Sequence, residues 1–482
     1  MKISSKDSEK NYGYGVRHIQ MLCMCLNMIA LFIARGSLGV AVLAMTDTGK
    51  RTNPNVTVYE WDKKIQGLIL SSFFWGYTAM QIPAGLLSKR YGGKPILLFS
   101  LLANAIICAL LPTLVHYGGW QIVCACRVLM GLTQACLFPA SHTLLGKWLP
   151  AQERTSYTGM VYGGTQMGII IAMPVSGVLA ETQMGWKLIF YTVSCIMFVT
   201  AAIWAFFSAN SPRDHRLMTN EEREYIERGL NVANSKVLRT PWKQIFTTKA
   251  LWAIMLSHFG CAIGFVLFFV DMPTYLERGL QISLKNSASL SALPYMGMLF
   301  GNVVSTSICE KLYNRGYLSL LNCRKLFNSI GFIGMAIGLL VLSFIGPDNK
   351  NIAVVTLIVA LTLSGFWSAG FMMAHLDLSP NYGGVMLSIT NFVANFGSII
   401  TPIVTSLILR NDPTDVSRWR IVFIVTAVVT IISNTGFVLF GSSERQEWDD
   451  PDYLDKRKAD IEEMMPALTP VKDEKDCKEN EK

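Results

Sequence analysis

Long apolar stretches, separated by short polar or charged segments, recur along the whole chain. A helix that crosses a bilayer takes about 20 mostly apolar residues. Twelve stretches qualify, near 19–45, 65–88, 95–115, 121–145, 155–180, 188–208, 250–272, 287–310, 326–346, 352–375, 383–409 and 421–441. The first is too long for the apolar segment of a signal peptide, about 7–15 residues, and leads into further spans, so it reads as a retained helix. The longest polar connection, 209–249, falls between the sixth and seventh stretches. The pattern therefore predicts an all-α membrane protein of twelve transmembrane helices in two six-helix halves, 19–208 and 250–441, with tails at 1–18 and 442–482.

Within the linker, Thr219-Asn220-Glu221-Glu222 offers a cap and an acidic first turn, which predicts a short surface helix. Two halves joined by a helical linker is the arrangement of a parallel-repeat carrier, whose site lies near the bilayer midplane between them. The tail from 442 mixes acids and bases with few aromatics and is expected to be disordered.

Composition agrees with a lipid environment. Hydrophobic residues make up 51% of the chain and charged residues 16%, against roughly a quarter charged in soluble domains. Basic residues set the orientation. Of 42 Lys and Arg, the N-terminal tail and the loops on its side hold 21, the C-terminal tail 8, the opposite loops 11, and two lie inside spans. Both termini are expected in the cytosol. The net charge of +9 follows from those loops and implies no nucleic-acid partner. None of the eleven cysteines falls in an outer loop or has metal-site spacing, so neither a disulfide framework nor a metal is implied.

The two basic residues inside spans are Arg35 and Arg127, in spans one and four. A charge at the bilayer centre costs at least about 2.5–3.5 kcal/mol, so each marks a functional candidate. Both would lie roughly 10–15 Å inside the outer face at 1.5 Å per residue. A guanidinium is always charged, and its planar fork fits carboxylate or phosphate. Gln134, seven residues after Arg127, shares its helix face. Tyr77 in span two, Asn391 in span eleven and His375 at the end of span ten complete the substrate-binding candidates. Each has a structural alternative: snorkelling or carbonyl pairing for the arginines, helix packing for Gln134, Tyr77 and Asn391, a structural imidazole for His375. Asn55-Val56-Thr57 is a glycosylation sequon in the first outer loop.

Several motifs are familiar. Gly85 to Lys94 (GLLSKRYGGK) resembles the loop signature of the major facilitator superfamily without its usual acid. Ser72 to Pro83 (SFFWGYTAMQIP), Phe138-Pro139-Ala140 with Trp148 and Glu153-Arg154, Leu290 to Tyr295, Arg324 to Asn328, His375 to Pro380 and Gly441 to Glu444 resemble the anion:cation symporter family. That family includes sialin, the vesicular glutamate transporters and the type I sodium/phosphate cotransporters; the likeness is greatest to insect inorganic phosphate cotransporter-like proteins. The resemblance implies a major facilitator fold rocking about a central anion site, with Arg35, Arg127 and His375 at the family's functional positions. The chain departs at Gln134 and Met130, where sialin carries glutamates, and at Cys261-Ala262-Ile263 in span seven. Sialic acid and glutamate are thereby disfavoured as substrates.

The function expected is secondary active transport of a small organic or inorganic anion, by a protein that is a monomer and not an enzyme, in the plasma membrane or an endolysosomal or vesicular membrane. No cofactor is implied beyond a coupling ion, sodium or proton. No Asp or Glu lies near the middle of a span, which favours transport driven by voltage, then sodium coupling, over a carboxylate proton relay. An uncoupled facilitator and a non-transporting sensor on the same fold are the alternatives.

Overall fold

The computed structural model describes residues 13–450 except 47–56, 62, 231–239, 269–274, 281–283 and 410–413, and residue 453 besides. The sequon residue Asn55 lies outside the described residues. The first half holds α1 (Val16–Thr46), α2 (Lys63–Tyr91), α3 (Gly93–Gln134), α4 (Leu137–Trp148), α5 (Ala151–Ala180) and α6 (Trp186–Phe207). The linker holds α7 (Asn220–Leu230) and α8 (Trp242–Thr247). The second half holds α9 (Lys249–Val266), α10 (Leu284–Asn314), α11 (Leu320–Leu342), α12 (Lys350–Ser364), α13 (Phe371–Leu378), α14 (Gly383–Leu409) and α15 (Val416–Phe440). No strand occurs among the described residues.

Among the described residues, nine helical segments are long and apolar enough to cross a membrane. One of them, Gly93–Trp148, has 56 residues, well beyond one crossing. It breaks at Gly119, whose φ of 55° and ψ of −147° are non-helical and suit a residue without a Cβ. Helix α2 has the length for a crossing but a lower hydropathy. It packs on α14 of the opposite half, so less of its surface meets lipid.

Buried apolar side chains form two main cores, one between Val16 and Ala209 with Leu376 added, the other between Ile245 and Trp448. Outside them Phe99, Val178, Val199, Phe206, Phe300 and Leu407 are exposed. So much apolar surface is untypical of a soluble monomer and fits a lipid-facing wall.

The stretch expected as one span over 352–375 is interrupted. Helix α12 ends at Ser364, a 3-10 turn covers Gly365–Ala369, and α13 follows. Here α11 crosses closely: a Cβ on Gly370 would come within 2.8 Å of the Asn328 backbone. The Asn328 Oδ1 accepts the Phe371 N–H at 3.2 Å, supporting the restart of the helix.

Helix α7 begins where Thr219 Oγ1 accepts the Glu222 N–H at 3.3 Å. The buried Glu222 carboxylate then accepts the N–H groups of Val16 at 2.9 Å and Arg17 at 3.0 Å. It thus caps the positive end of α1 from more than 200 positions away in the chain. Arg17 also pairs with Glu153 at 2.9 Å, so the linker helix docks under the first half.

Disorder from 442 onward, expected from composition, does not hold for 442–450. This segment folds back because its side chains find buried partners. Trp448 Nε1 donates to Thr248 Oγ1 at 3.2 Å, and the Gln446 N–H to Leu378 O at 2.9 Å. The fully buried Asp449 accepts from Ser379 Oγ and from the Asn381 N–H at 3.0 Å, and pairs with Arg445 at 2.6 Å. Asp449→Ala leaves those donors without their acceptor, and it is expected to cost about 3 kcal/mol. A lowered melting temperature in detergent, with the fold otherwise native, is the check.

Candidate functional site

Two glycines set the geometry. A Cβ on Gly76 would stand 2.1 Å from Val128 O, and one on Gly131 would stand 2.0 Å from Phe73 O. Helix α2 and the second segment of α3 therefore touch backbone to backbone. That contact slides Phe73 and Tyr77 alongside Arg127 and Gln134.

Phe73 is the floor of the site. The guanidinium carbons of Arg35 and Arg127 each lie 4.7 Å from its ring centroid, within cation–π range. Arg35 also lies 4.5 Å from the Phe32 ring and 5.0 Å from the Tyr77 ring. Aromatic faces lower the cost of holding cations in a dry place but supply no hydrogen-bond acceptors. Arg127 Nε and Nη1 and Arg35 Nε are buried without a hydrogen-bond partner. Among the described residues no carboxylate pairs with either guanidinium. Two neighbouring cations with donors left open make this a candidate anion site, because an unpaired buried charge is otherwise strongly destabilising.

Gln134, fully buried, places Oε1 3.4 Å from Arg35 Nη2 and donates from Nε2 to Asn104 Oδ1 at 2.9 Å. Tyr77 stacks on Phe73 with ring centroids 5.6 Å apart, and its hydroxyl receives the Asn391 amide at 3.1 Å. Asn391 belongs to α14, so this bond joins the two halves at the site. The structure brings together Arg35, Arg127, Tyr77, Gln134 and Asn391.

His375 stands apart in a second polar cluster. It is fully buried on α13, with Nε2 2.8 Å from Thr390 Oγ1 and its ring 5.8 Å from His142 and 6.3 Å from His258. His258 Nδ1 reaches the same Thr390 hydroxyl at 3.0 Å, and His142 contacts the Tyr162 hydroxyl. These rings come from both halves. On the linker side the halves are further tied by Ser156 N–H to Glu310 at 2.9 Å, Asn302 Nδ2 to Gly159 O at 2.9 Å and Arg324 Nη2 to Thr155 Oγ1 at 3.2 Å.

Sequence reasoning missed Phe73, Asn104, His142 and Tyr162. A phenylalanine in an apolar span carries no signature of its own. The signal for Asn104 is a single amide in a run from Leu97 to Leu111 whose only other polar residue is Ser100, and for His142 an imidazole four residues after Phe138 on the buried helix α4.

The sequence matches the Major Facilitator Superfamily over residues 21–402 and 316–470. It is 32% identical to a Drosophila melanogaster protein provisionally named an inorganic phosphate cotransporter, across 94% of this chain and 90% of that one. Human sialin is 33% identical across 81% and 78%, and bovine vesicular glutamate transporter 1 is 30% identical across 93% and 80%. Among solved structures, the proton:xylose symporter XylE superposes with a TM-score of 0.68 at 16% identity, covering 91% of this chain and 99% of that one. The chain is a multi-pass membrane transporter and not an enzyme, and it belongs to the Major Facilitator Superfamily, among the relatives of sialin, the vesicular glutamate transporters and the inorganic phosphate cotransporters.

Proposed function

We propose that this protein carries a small anion of the phosphate or carboxylate class by alternating access, with the anion held between Arg35 and Arg127. The observation that carries this reading is Arg127, whose Nε and Nη1 are buried with no acceptor. A resident counter-ion from the protein would make the pair structural, and none is described. The bond from Asn391 to Tyr77 links the site to the opposite half, so filling the site is felt where the halves move.

The amide at Gln134 leaves both guanidinium charges uncompensated. A monovalent anion crossing alone then moves net charge, worth about 2.3 kcal/mol per 100 mV. Voltage-driven transport is the coupling this supports first, and sodium coupling second. Uptake into proteoliposomes is the test, with phosphate, urate, acidic amino acids and aromatic acids set against neutral sugars under imposed sodium and proton gradients. Saturable uptake of at least one anion and no neutral solute is expected; uptake of the sugars alone would overturn the reading.

The charge count over the loops supports cytosolic termini, with 46–64 on the opposite side, and a monomer suffices for the site. Glycosidase is expected to shift the wild type but not Asn55→Gln on a gel, while a C-terminal tag on intact cells stays closed to protease. A tag digested from outside would reverse the topology.

A further inference from the structure

We infer that Asn104 is a positioning residue for the anion site, fixing the amide of Gln134 with its oxygen toward Arg35. This rests on the anion-site reading and extends it to a residue that does not touch the arginines.

The direction of each hydrogen bond follows from main-chain carbonyls, which only accept. Thr133 Oγ1 donates to Met130 O at 3.0 Å or Leu129 O at 3.1 Å, so toward Asn104 it can only accept. Asn104 Nδ2 accordingly donates one hydrogen to Thr133 Oγ1 at 2.9 Å and the other to Ser100 O at 2.7 Å. Both amide hydrogens are then used, and Oδ1 is left as the acceptor facing Gln134. Gln134 must present Nε2 to it, at 2.9 Å. Its Oε1 is turned to Arg35. Asn104 and Gln134 are fully buried, so no water competes to reset the order.

The reverse orientation would set the Gln134 NH2 against the Arg35 guanidinium, donor against donor, and its oxygen against Asn104 Oδ1. Asn104 thereby excludes the orientation that would disturb Arg35. At 3.4 Å the Gln134 contact is longer than an ordinary N–H···O bond. Arg35 is tethered to a neutral acceptor and not neutralised by it, so its charge stays available to the anion. The effect on transport should therefore appear in substrate affinity and not in the rate of the conformational cycle.

A double-mutant cycle tests this on purified protein, read as phosphate uptake into proteoliposomes at fixed voltage. Asn104→Leu and Gln134→Leu are each expected to raise KM about tenfold with kcat little changed. The double variant is expected to be no worse than either single one, because Asn104 acts only through Gln134. Multiplying effects, near a hundredfold in the double variant, would overturn the inference, as would an unchanged KM in Asn104→Leu. If Asn104→Leu folds poorly, Asn104→Ser, too short to reach Gln134, carries the same cycle with the same expectations. If the wild type takes up no phosphate, the cycle is read with urate, an acidic amino acid or an aromatic acid; a wild type that takes up none of these anions removes the anion reading and this inference together, whereas failure of the inference alone shows only in the variants.

Discussion

Arg127→Leu is expected to abolish anion uptake and, without anion, to raise the melting temperature of the protein. Arg127 is buried between α3 and Phe73 with two donors open. An uncompensated buried cation opposes folding, and replacing it by an apolar group of similar reach relieves that cost. Arg127→Lys separates charge from shape. Lysine keeps the cation but loses the planar fork and its fit over the ring, so KM is expected to rise about 30-fold, the equivalent of about 2 kcal/mol in bonds to a charged group. Size-exclusion profiles and melting curves with and without phosphate, beside uptake, provide the readout. An Arg127→Leu protein that melts earlier than wild type would show that the arginine has a structural partner.

The second large effect belongs to the helix contact beneath the site. Gly131→Val and Gly76→Val each place side-chain atoms about 2 Å from a main-chain carbonyl oxygen of the neighbouring helix. Backbone cannot rotate aside as a side chain can, so α2 and α3 must separate. Overpacking of this kind costs about 1–3 kcal/mol or more. Separation also withdraws Phe73 and Tyr77 from the arginines, so transport should fall to background even in the fraction that reaches the membrane. Wild-type uptake by either variant would mean that the close approach is not what builds the site.

The spans were readable because each must present apolar residues to lipid around most of its surface, and α14 begins and ends where the hydropathy does. Where lipid contact is shared with protein, the signal weakens, as in α2. The interruption at 365–370 was not readable, since it depends on Asn328 of another helix. Nor was the docking of 442–450, whose partners Ser379, Asn381 and Thr248 come from distant positions. At the site, the cost of a charge in a span exposed Arg35 and Arg127, and shared helix face exposed Gln134. The separation of His375, at the cytosolic end of span ten, from arginines near the outer face was legible too; its cluster with His142, His258 and Thr390 was not, because that arises from how α13 tucks between the halves.

On the proposed reading an anion crosses on two uncompensated arginines, Arg35 and Arg127. Uptake of labelled phosphate into proteoliposomes, with the potential set by potassium and valinomycin and no sodium or pH gradient, tests it most directly. Accumulation is expected when the interior is positive, with a limiting ratio that changes about 50-fold per 100 mV for each net negative charge moved, and none in Arg127→Leu. Accumulation that ignores the potential, or that survives in Arg127→Leu, would contradict it.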